Sequence, residues 1–314
     1  MKIAERVLTV TLNPVLDKII KVNHFERGRE HHSKEMRYSA GGKGINVSRA
    51  LMRFGIPALA TGFLGGVSGD ALAQMLREER ILSDFIQIKG ETRTNLTILG
   101  STSSITRILE DGPRIKKEEL KGFLKKVEKL LRNCSHVVFS GRNIPGAGVD
   151  IYRRLVTFTQ KNGKRTVLDT SGEELQVALS AKPFLIKPNL SETESILKKK
   201  LKTLAQFEQA LLDLRRLGAQ NVILSLDKKG AIATDGKETW LVQPPVQKVV
   251  NTVGCGDALV AGFLAAQIQG KNFLESLQWA VAAGTGNVTS LHPGEFSMSR
   301  LRMIKKKLKI QRVA

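Results

Sequence analysis

The chain has 314 residues, 41% hydrophobic but only 5% aromatic, and its 50 lysines and arginines outnumber 29 acids for a formal charge of +21. That length and apolar content exclude a disordered chain and require an aliphatic core, and no run approaches the roughly 20 apolar residues of a membrane span. Two distant cysteines, Cys134 and Cys255, have neither metal nor redox spacing, which excludes a disulfide scaffold and fits a reducing compartment. The opening MKIAERVLTVTLNP has no signal-peptide pattern, so the expected location is the cytoplasm. The positive excess favours anionic partners without naming one. It gathers at Lys198, Lys199, Lys200 and Lys202, and from Arg300 onward through Lys305, Lys306, Lys307, Lys309 and Arg312. Both stretches are expected to be solvated helix faces. Neither aromatic interleaving nor a reader module accompanies them, so nucleic acid is not an expected partner.

In chain order, residues 7–13 are β-branched and end at Asn13-Pro14, the pattern of a buried strand leaving a sheet at its carboxyl end. Residues 18–39 alternate polar and apolar, as short strands with one wet face do. A glycine-rich turn at 41–44 opens a helix over 45–54; a strand over 58–63 and a helix over 70–80 follow. Residues 84–89, 94–100 and 105–110 read as further strands. Then HVVFSG (136–141), RTVLDT (165–170), FLIKPN (184–189) and NVILSL (221–226) each precede a turn and a helical stretch. Two long helical patterns, from Asp257 and from Phe273, are expected to close the chain. This alternation implies an α/β fold with a mainly parallel central sheet and helices on both faces. No linker divides it, so one domain over 1–314 is expected, with a small β lid drawn mainly from about 15–40 and 90–112. In such a sheet ligands bind beyond the carboxyl ends of the strands, where Asn13, Asp17, residues 41–44, Arg93, Ser140, Gly141, Lys187, Asn189 and residues 252–257 all fall.

The strongest local signal is NTVGCGD (251–257) ahead of the apolar helix ALVAGFL. Glycines at 254 and 256 permit a tight turn, and backbone amides from Thr252 to Gly256, with those of the first helical turn, can form an anion hole. Asp257 beside it is either the base that accepts a hydroxyl proton or only a helix cap. The second signal is GGKGIN (41–46), where Lys43 adds a point charge for phosphate. It is neither a Walker A loop nor G-x-G-x-x-G. His24, His31, His32, His136 and His292 lack metal-ligand spacing, and no Ser-His-Asp arrangement is suggested.

Together these segments resemble the ribokinase-like sugar kinases of the phosphofructokinase B type, closest to the fructose-1-phosphate kinase and tagatose-6-phosphate kinase branch. The resemblance runs from TVTLNPVLD (9–17) through GGKGINVSRAL (41–51), GETRTN (90–95), LDTSG (168–172), IKPNLSE (186–192) and NTVGCGD (251–257) to AAGTGN (282–287). It implies ATP-dependent phosphorylation of a ketohexose phosphate with magnesium, with fructose 1-phosphate as the leading substrate. Tagatose 6-phosphate and fructose 6-phosphate are the near alternatives. It further implies that Asp257 is the base, and that Gly254, Cys255 and Gly256 carry the anion hole. Asp17, Gly42, Lys43 and Asn46 would contact the sugar and its phosphates, and Arg93 the phosphate already present. Lys187, Asn189, Ser225, Gly230 and Gly256 would lie on the nucleotide side, with Asn287 bordering the adenine and Glu192 reaching magnesium through water. The lid often mediates dimers in relatives, so a homodimer is expected.

Three positions depart from that family's pattern. Arg142 stands where a serine is usual and either alters which sugar phosphate fits or points to solvent. Asp227 stands for a glycine beside the nucleotide, where a carboxylate must face away from phosphate. Cys255 replaces an alanine and is either an activated thiol or simply a small residue. A different reading, a non-catalytic scaffold that binds RNA through its basic surface, is disfavoured by the intact Asp257, Lys187 and Glu192.

Overall fold

The computed structural model describes residues 6–23, 25–100 and 105–314; His24 and the first five residues lie outside them. In chain order the elements are β1 (Arg6–Thr11), β2 (Val15–Lys21), β3 (Glu35–Gly41), α1 (Lys43–Arg53), β4 (Ala58–Leu64), α2 (Gly66–Glu78), β5 (Ile86–Gln87), β6 (Thr94–Leu99) and β7 (Ile105–Leu109). Next come α3 (Lys117–Leu131), β8 (Cys134–Ser140), α4 (Ile151–Lys161), β9 (Arg165–Asp169), α5 (Gly172–Leu179), β10 (Leu185–Ile186), α6 (Leu190–Leu197) and α7 (Leu204–Arg216). The chain finishes with β11 (Asn221–Ser225), β12 (Ala231–Thr234), β13 (Thr239–Gln243), α8 (Cys255–Ile268), α9 (Phe273–Asn287), α10 (Met298–Lys306) and β14 (Lys309–Arg312).

The larger sheet runs β14-β13-β12-β11-β10-β9-β8-β1-β4-β5. Its strands pair in parallel from β5 across to β11, and β12, β13 and β14 are antiparallel. Such a sheet needs both faces covered, which is why β1 and β8 are buried along nearly their whole lengths. One face packs Phe123, Tyr152, Leu155, Leu211 and Leu214 from α3, α4 and α7. The other packs Val47, Leu51, Phe263, Leu277 and Leu301 from α1, α8, α9 and α10. Helix α8 is apolar all round and buried from Asp257 to Ala266, so it lies inside this second layer rather than on it. The strand order reverses at β1, with β4 on one side and β8 on the other. The crevice at such a reversal is where α/β sheets bind ligands. Strands β3-β2-β6-β7 form a separate four-stranded sheet, β2 pairing antiparallel with β3 and parallel with β6.

Several expectations need correction. Lys198 adopts a left-handed conformation (φ 52°) that stops α6, so Lys199 and Lys200 occupy a turn, not a helix face. There Lys200 pairs with Glu194 at 2.7 Å and Lys199 with Asp213 at 3.7 Å. At the carboxyl end α10 stops at Lys306, and Lys309–Arg312 turns into the edge strand β14 against β13. Charged residues suit a sheet edge because they discourage further pairing. The chain therefore does not close on the helix from Phe273. Helix α2 begins at Gly66, ahead of the expected residue 70, because the Glu91 carboxylate accepts from the Val67 and Ser68 amides at 3.2 and 2.7 Å. That cap comes from a loop over twenty residues away, beyond any local pattern.

Candidate active site

The loop before α8 contains the strongest constellation. Gly254 is its turning point, at φ 78°, and an added Cβ would lie 2.6 Å from the Pro293 Cβ, so no side chain fits there. Within the loop the Val253 amide donates to Asn251 Oδ1 at 2.9 Å and the Cys255 amide to the Thr252 carbonyl at 3.4 Å. Two of the amides expected to face an anion are thus engaged internally. Those of Gly254, Gly256 and Asp257 have no acceptor among the described residues. They sit at the positive end of a helix dipole. Burial pushes the Cys255 thiol up, which opposes activation by the helix terminus. Of its two readings, the inert small residue is the one this environment favours.

Asp257, in the first turn of α8, is 5% exposed. Burial, followed by the charge of Asp169, pushes its carboxyl up to about 6 against the pull of Lys43, Asn46 and Lys187. Asn46 on α1 donates to Asp257 Oδ2 at 2.8 Å. The opposite end of that amide accepts from Arg49 Nη1 at 2.7 Å, and Arg49 is clamped by Glu79, the residue that ends α2, and the Ala40 carbonyl. This chain of contacts fixes which end of Asn46 meets the carboxylate. Gly42 precedes α1 at φ 135°, where a Cβ would strike the Thr11 side chain, and Lys43 is the first residue of α1.

Lys43 reaches a residue of the LDTSG motif to which the sequence assigns no role of its own. Asp169, at the carboxyl end of β9, is 1% exposed and lies 3.3 Å from Lys43 Nζ and 3.4 Å from Lys187 Nζ. Burial raises its carboxyl, but Lys187 and Lys43 outweigh burial and hold it below the usual range; Lys43 is raised in return. Ser140 donates to the second oxygen at 3.3 Å. Lys187 itself is buried, and a Cβ on Gly256 would lie 3.1 Å from its Nζ. Gly256 therefore lets a buried ammonium approach the floor of the anion hole.

Opposite this cluster, Asp17 on β2 lies in register with Ser39 and Asn95. Burial pushes its carboxyl up, and Asn95 Nδ2 donates to it at 3.2 Å. Its second oxygen occupies the space a Gly41 side chain would need. Arg93 donates to the Asn13 carbonyl at 3.0 and 3.3 Å and to the Glu110 carbonyl at 3.3 Å. Burial and then the nearby charge of Arg142 lower its affinity for its proton. Arg142 is exposed, yet its charge reaches Arg93, so its two readings are compatible. The Arg142 loop is held by Tyr152, whose hydroxyl donates to the Gly141 and Arg142 carbonyls at 3.0 and 3.3 Å. Asn13 Oδ1 and Asn95 Oδ1 are buried without a partner, a cost that a ligand bearing hydroxyl donors relieves.

The remaining candidates cluster near β10 and β11. Asn189 caps α6 by accepting from the Glu192 amide at 2.8 Å, and Glu192 Oε2 accepts from the Asn189 amide at 2.8 Å. Ser225 lies beside Asn189, donating to the Pro188 carbonyl at 3.4 Å. Gly230 at φ 92° closes a tight turn after β11, where a Cβ would collide with the Val242 carbonyl. Asp227 starts that turn and is exposed. Asn287 is 1% exposed and bonded at both ends of its amide: it donates to the Val253 carbonyl at 2.8 Å and Cys255 Sγ at 3.4 Å, and accepts from the Gly294 amide at 2.7 Å. It braces the anion loop. Among the described residues no three His, Cys, Asp or Glu side chains are grouped to hold a metal, and Asp169 is committed to two lysines. Glu192 keeps Oε1 free, which fits an ion such as Mg²⁺ that retains waters and leans on substrate phosphates.

A family model described as pfkB family carbohydrate kinase matches residues 10–299. Among solved structures, the chain is similar to a candidate phosphofructokinase from Staphylococcus aureus, with 30% identity, a TM-score of 0.84 and coverage of 98% of this chain and 99% of that one. It is similar to Escherichia coli phosphofructokinase-2 in complex with fructose-6-phosphate, with 26% identity, a TM-score of 0.87 and coverage of 96% and 98%. A candidate 1-phosphofructokinase from Thermotoga maritima shares 29% identity at a TM-score of 0.89, covering 99% and 100%.

Proposed function

Because the chain belongs to the pfkB family of carbohydrate kinases, we propose that it transfers the γ-phosphoryl group of ATP to a hydroxyl of a ketohexose phosphate, with fructose 1-phosphate as the leading substrate and fructose 1,6-bisphosphate as product. The observation that carries the reading is the meeting of Asp257, raised to about 6, with the unbonded amides of Gly254 and Gly256 over the Lys187–Asp169–Lys43 cluster. In-line transfer needs a base on the incoming oxygen and dipoles facing the migrating charge. Asp257 takes the hydroxyl proton as that oxygen bonds to phosphorus and the bond to the leaving ADP oxygen breaks. Lys187 and Lys43 offset the charge of the transferred group, and Asp169 holds both ammonium groups in place. Glu192, with Asn189, would hold Mg²⁺ through water, and the ion would neutralise phosphate charge. The four-stranded sheet would act as a lid over the sugar, placing Asp17 against its hydroxyls, and could pair with a second copy.

Arg93 and Arg142 support a substrate that already carries a phosphate, since two adjacent guanidinium groups repel one another until an anion lies between them. Arg93→Ala is expected to raise KM for the phosphorylated sugar by about 10- to 100-fold, the worth of a charged hydrogen bond, with KM for ATP nearly unchanged. Arg142→Ala should act in the same direction by a smaller factor. Steady-state kinetics with fructose 1-phosphate and unphosphorylated fructose reads this directly. An equal loss for both sugars would remove Arg93 from phosphate recognition. The similarity to proteins described as a 1-phosphofructokinase and a phosphofructokinase-2 supports a phosphofructose substrate in either form. Tagatose 6-phosphate remains the alternative of the same chemical class.

A further inference from the structure

Parallel strands place the crevice at their carboxyl ends, and their amino-terminal ends gather at the opposite side of the sheet. There the starts of β8 and β9 and the end of α8 line an open polar cavity of about 580 Å³, within the ~300–1,000 Å³ range of small-molecule sites. Its wall includes Arg132, Lys164 and Arg165, and among the described residues that line it none is acidic. The topology makes this cluster. The turn after α3 delivers Arg132, the turn after α4 delivers Lys164, and β9 opens with Arg165. None of the three has an ion-pair partner among the described residues, and the charges of Lys164 and Arg6 both reach the Cys134 thiol in the cavity wall. Arg165 is held over the Phe184 ring at 5.0 Å, so that cation is positioned rather than loose.

Helices α3, α4 and α8 end at this side, and each carboxyl end carries only about half a negative charge. Neutralising three such ends, together about one and a half charges, leaves the three cations of the wall in excess. We propose that this cavity binds a small phosphorylated anion at a site separate from the catalytic crevice. The forked guanidinium groups of Arg132 and Arg165 suit two phosphate oxygens each, and Lys164 supplies a point charge between them. The bound anion would contact β9, which ends in Asp169, and α8, which begins at the anion loop.

Amine acylation of the full chain, read by peptide mass at Lys164 and at exposed Lys199, tests the site at constant ionic strength. Inorganic pyrophosphate is expected to slow acylation at Lys164 about fivefold or more, as for an ammonium held in a charged contact, and to leave Lys199 unchanged. Parallel arms with fructose 1,6-bisphosphate and ADP distinguish a sugar from a nucleotide as carrier of the phosphates; protection in any arm supports the site. The variant Arg132→Glu should lose most of that protection while its turnover with ATP stays as in the parent chain. Unchanged acylation at Lys164 in every arm, or undiminished protection in Arg132→Glu, would overturn the proposal and show that the cations only neutralise helix ends. Turnover measured alongside keeps this result independent of the kinase reading.

Discussion

Asp257→Asn is expected to lower kcat by about 10²- to 10⁴-fold, the contribution of a positioned general base, while nucleotide affinity stays close to that of the parent chain. The asparagine keeps an oxygen to accept from Asn46 but cannot take the hydroxyl proton. The same substitution should stabilise the fold near neutral pH. The folded pKa of Asp257, about 6, lies above its ordinary value of 3.8, so the folded chain holds this proton more tightly than the unfolded one. Its favourable contribution is complete below the ordinary value and disappears as pH rises through 6. Near neutrality the ionised group costs the fold on the order of 1–3 kcal/mol. Asparagine removes that cost, and thermal melting should show a higher Tm in the inactive protein. The parent chain's kcat/KM should in turn fall with acid below about pH 6, where the base becomes protonated. Near-parental turnover in Asp257→Asn, or a flat acid limb, would remove Asp257 from the base role.

Asp169→Ala should have the largest effect on folding. The substitution leaves Lys187, 5% exposed, and the partly buried Lys43 facing one another without the anion between them. Breaking a buried pair in this way costs about 3–5 kcal/mol, readable as a lower urea midpoint, and turnover should fall with the displaced ammonium groups. The double variant Asp169→Ala with Lys187→Met removes the stranded charge and should recover much of the stability without recovering turnover. A single-variant loss below about 1 kcal/mol, in the range of an exposed pair, would show that the cluster is more solvated than its geometry implies.

The parts of the fold legible in sequence are those set by local rules. The parallel alternation, the glycine turn before α1 and the helix expected from Asp257, which starts two residues earlier at Cys255, all follow from periodicity and backbone freedom within a few residues. What escaped depends on distant partners. Asp169 stood in a quoted motif, but its importance comes from two lysines that arrive from α1 and the segment after β10. Arg49 orients Asn46 with the help of Glu79, delivered by the end of α2. The start of α2 depends on Glu91, and the lysine-rich terminus becomes a strand because β13 offers an open edge. Even within the anion loop, sequence could not tell which amides are spent on Asn251 and Thr252. The sequence signal for Asp169 is an acid at the carboxyl end of a buried strand, RTVLDT.

The most direct measurement is ADP release with ATP and Mg²⁺ against fructose 1-phosphate, fructose 6-phosphate, tagatose 6-phosphate and their unphosphorylated sugars. A kcat/KM for one phosphorylated ketohexose well above that for every unphosphorylated sugar is the expected result, with fructose 1-phosphate foremost. Turnover that favours an unphosphorylated sugar, or no turnover across the panel, would contradict the substrate class assigned to the Arg93–Arg142 side of the crevice.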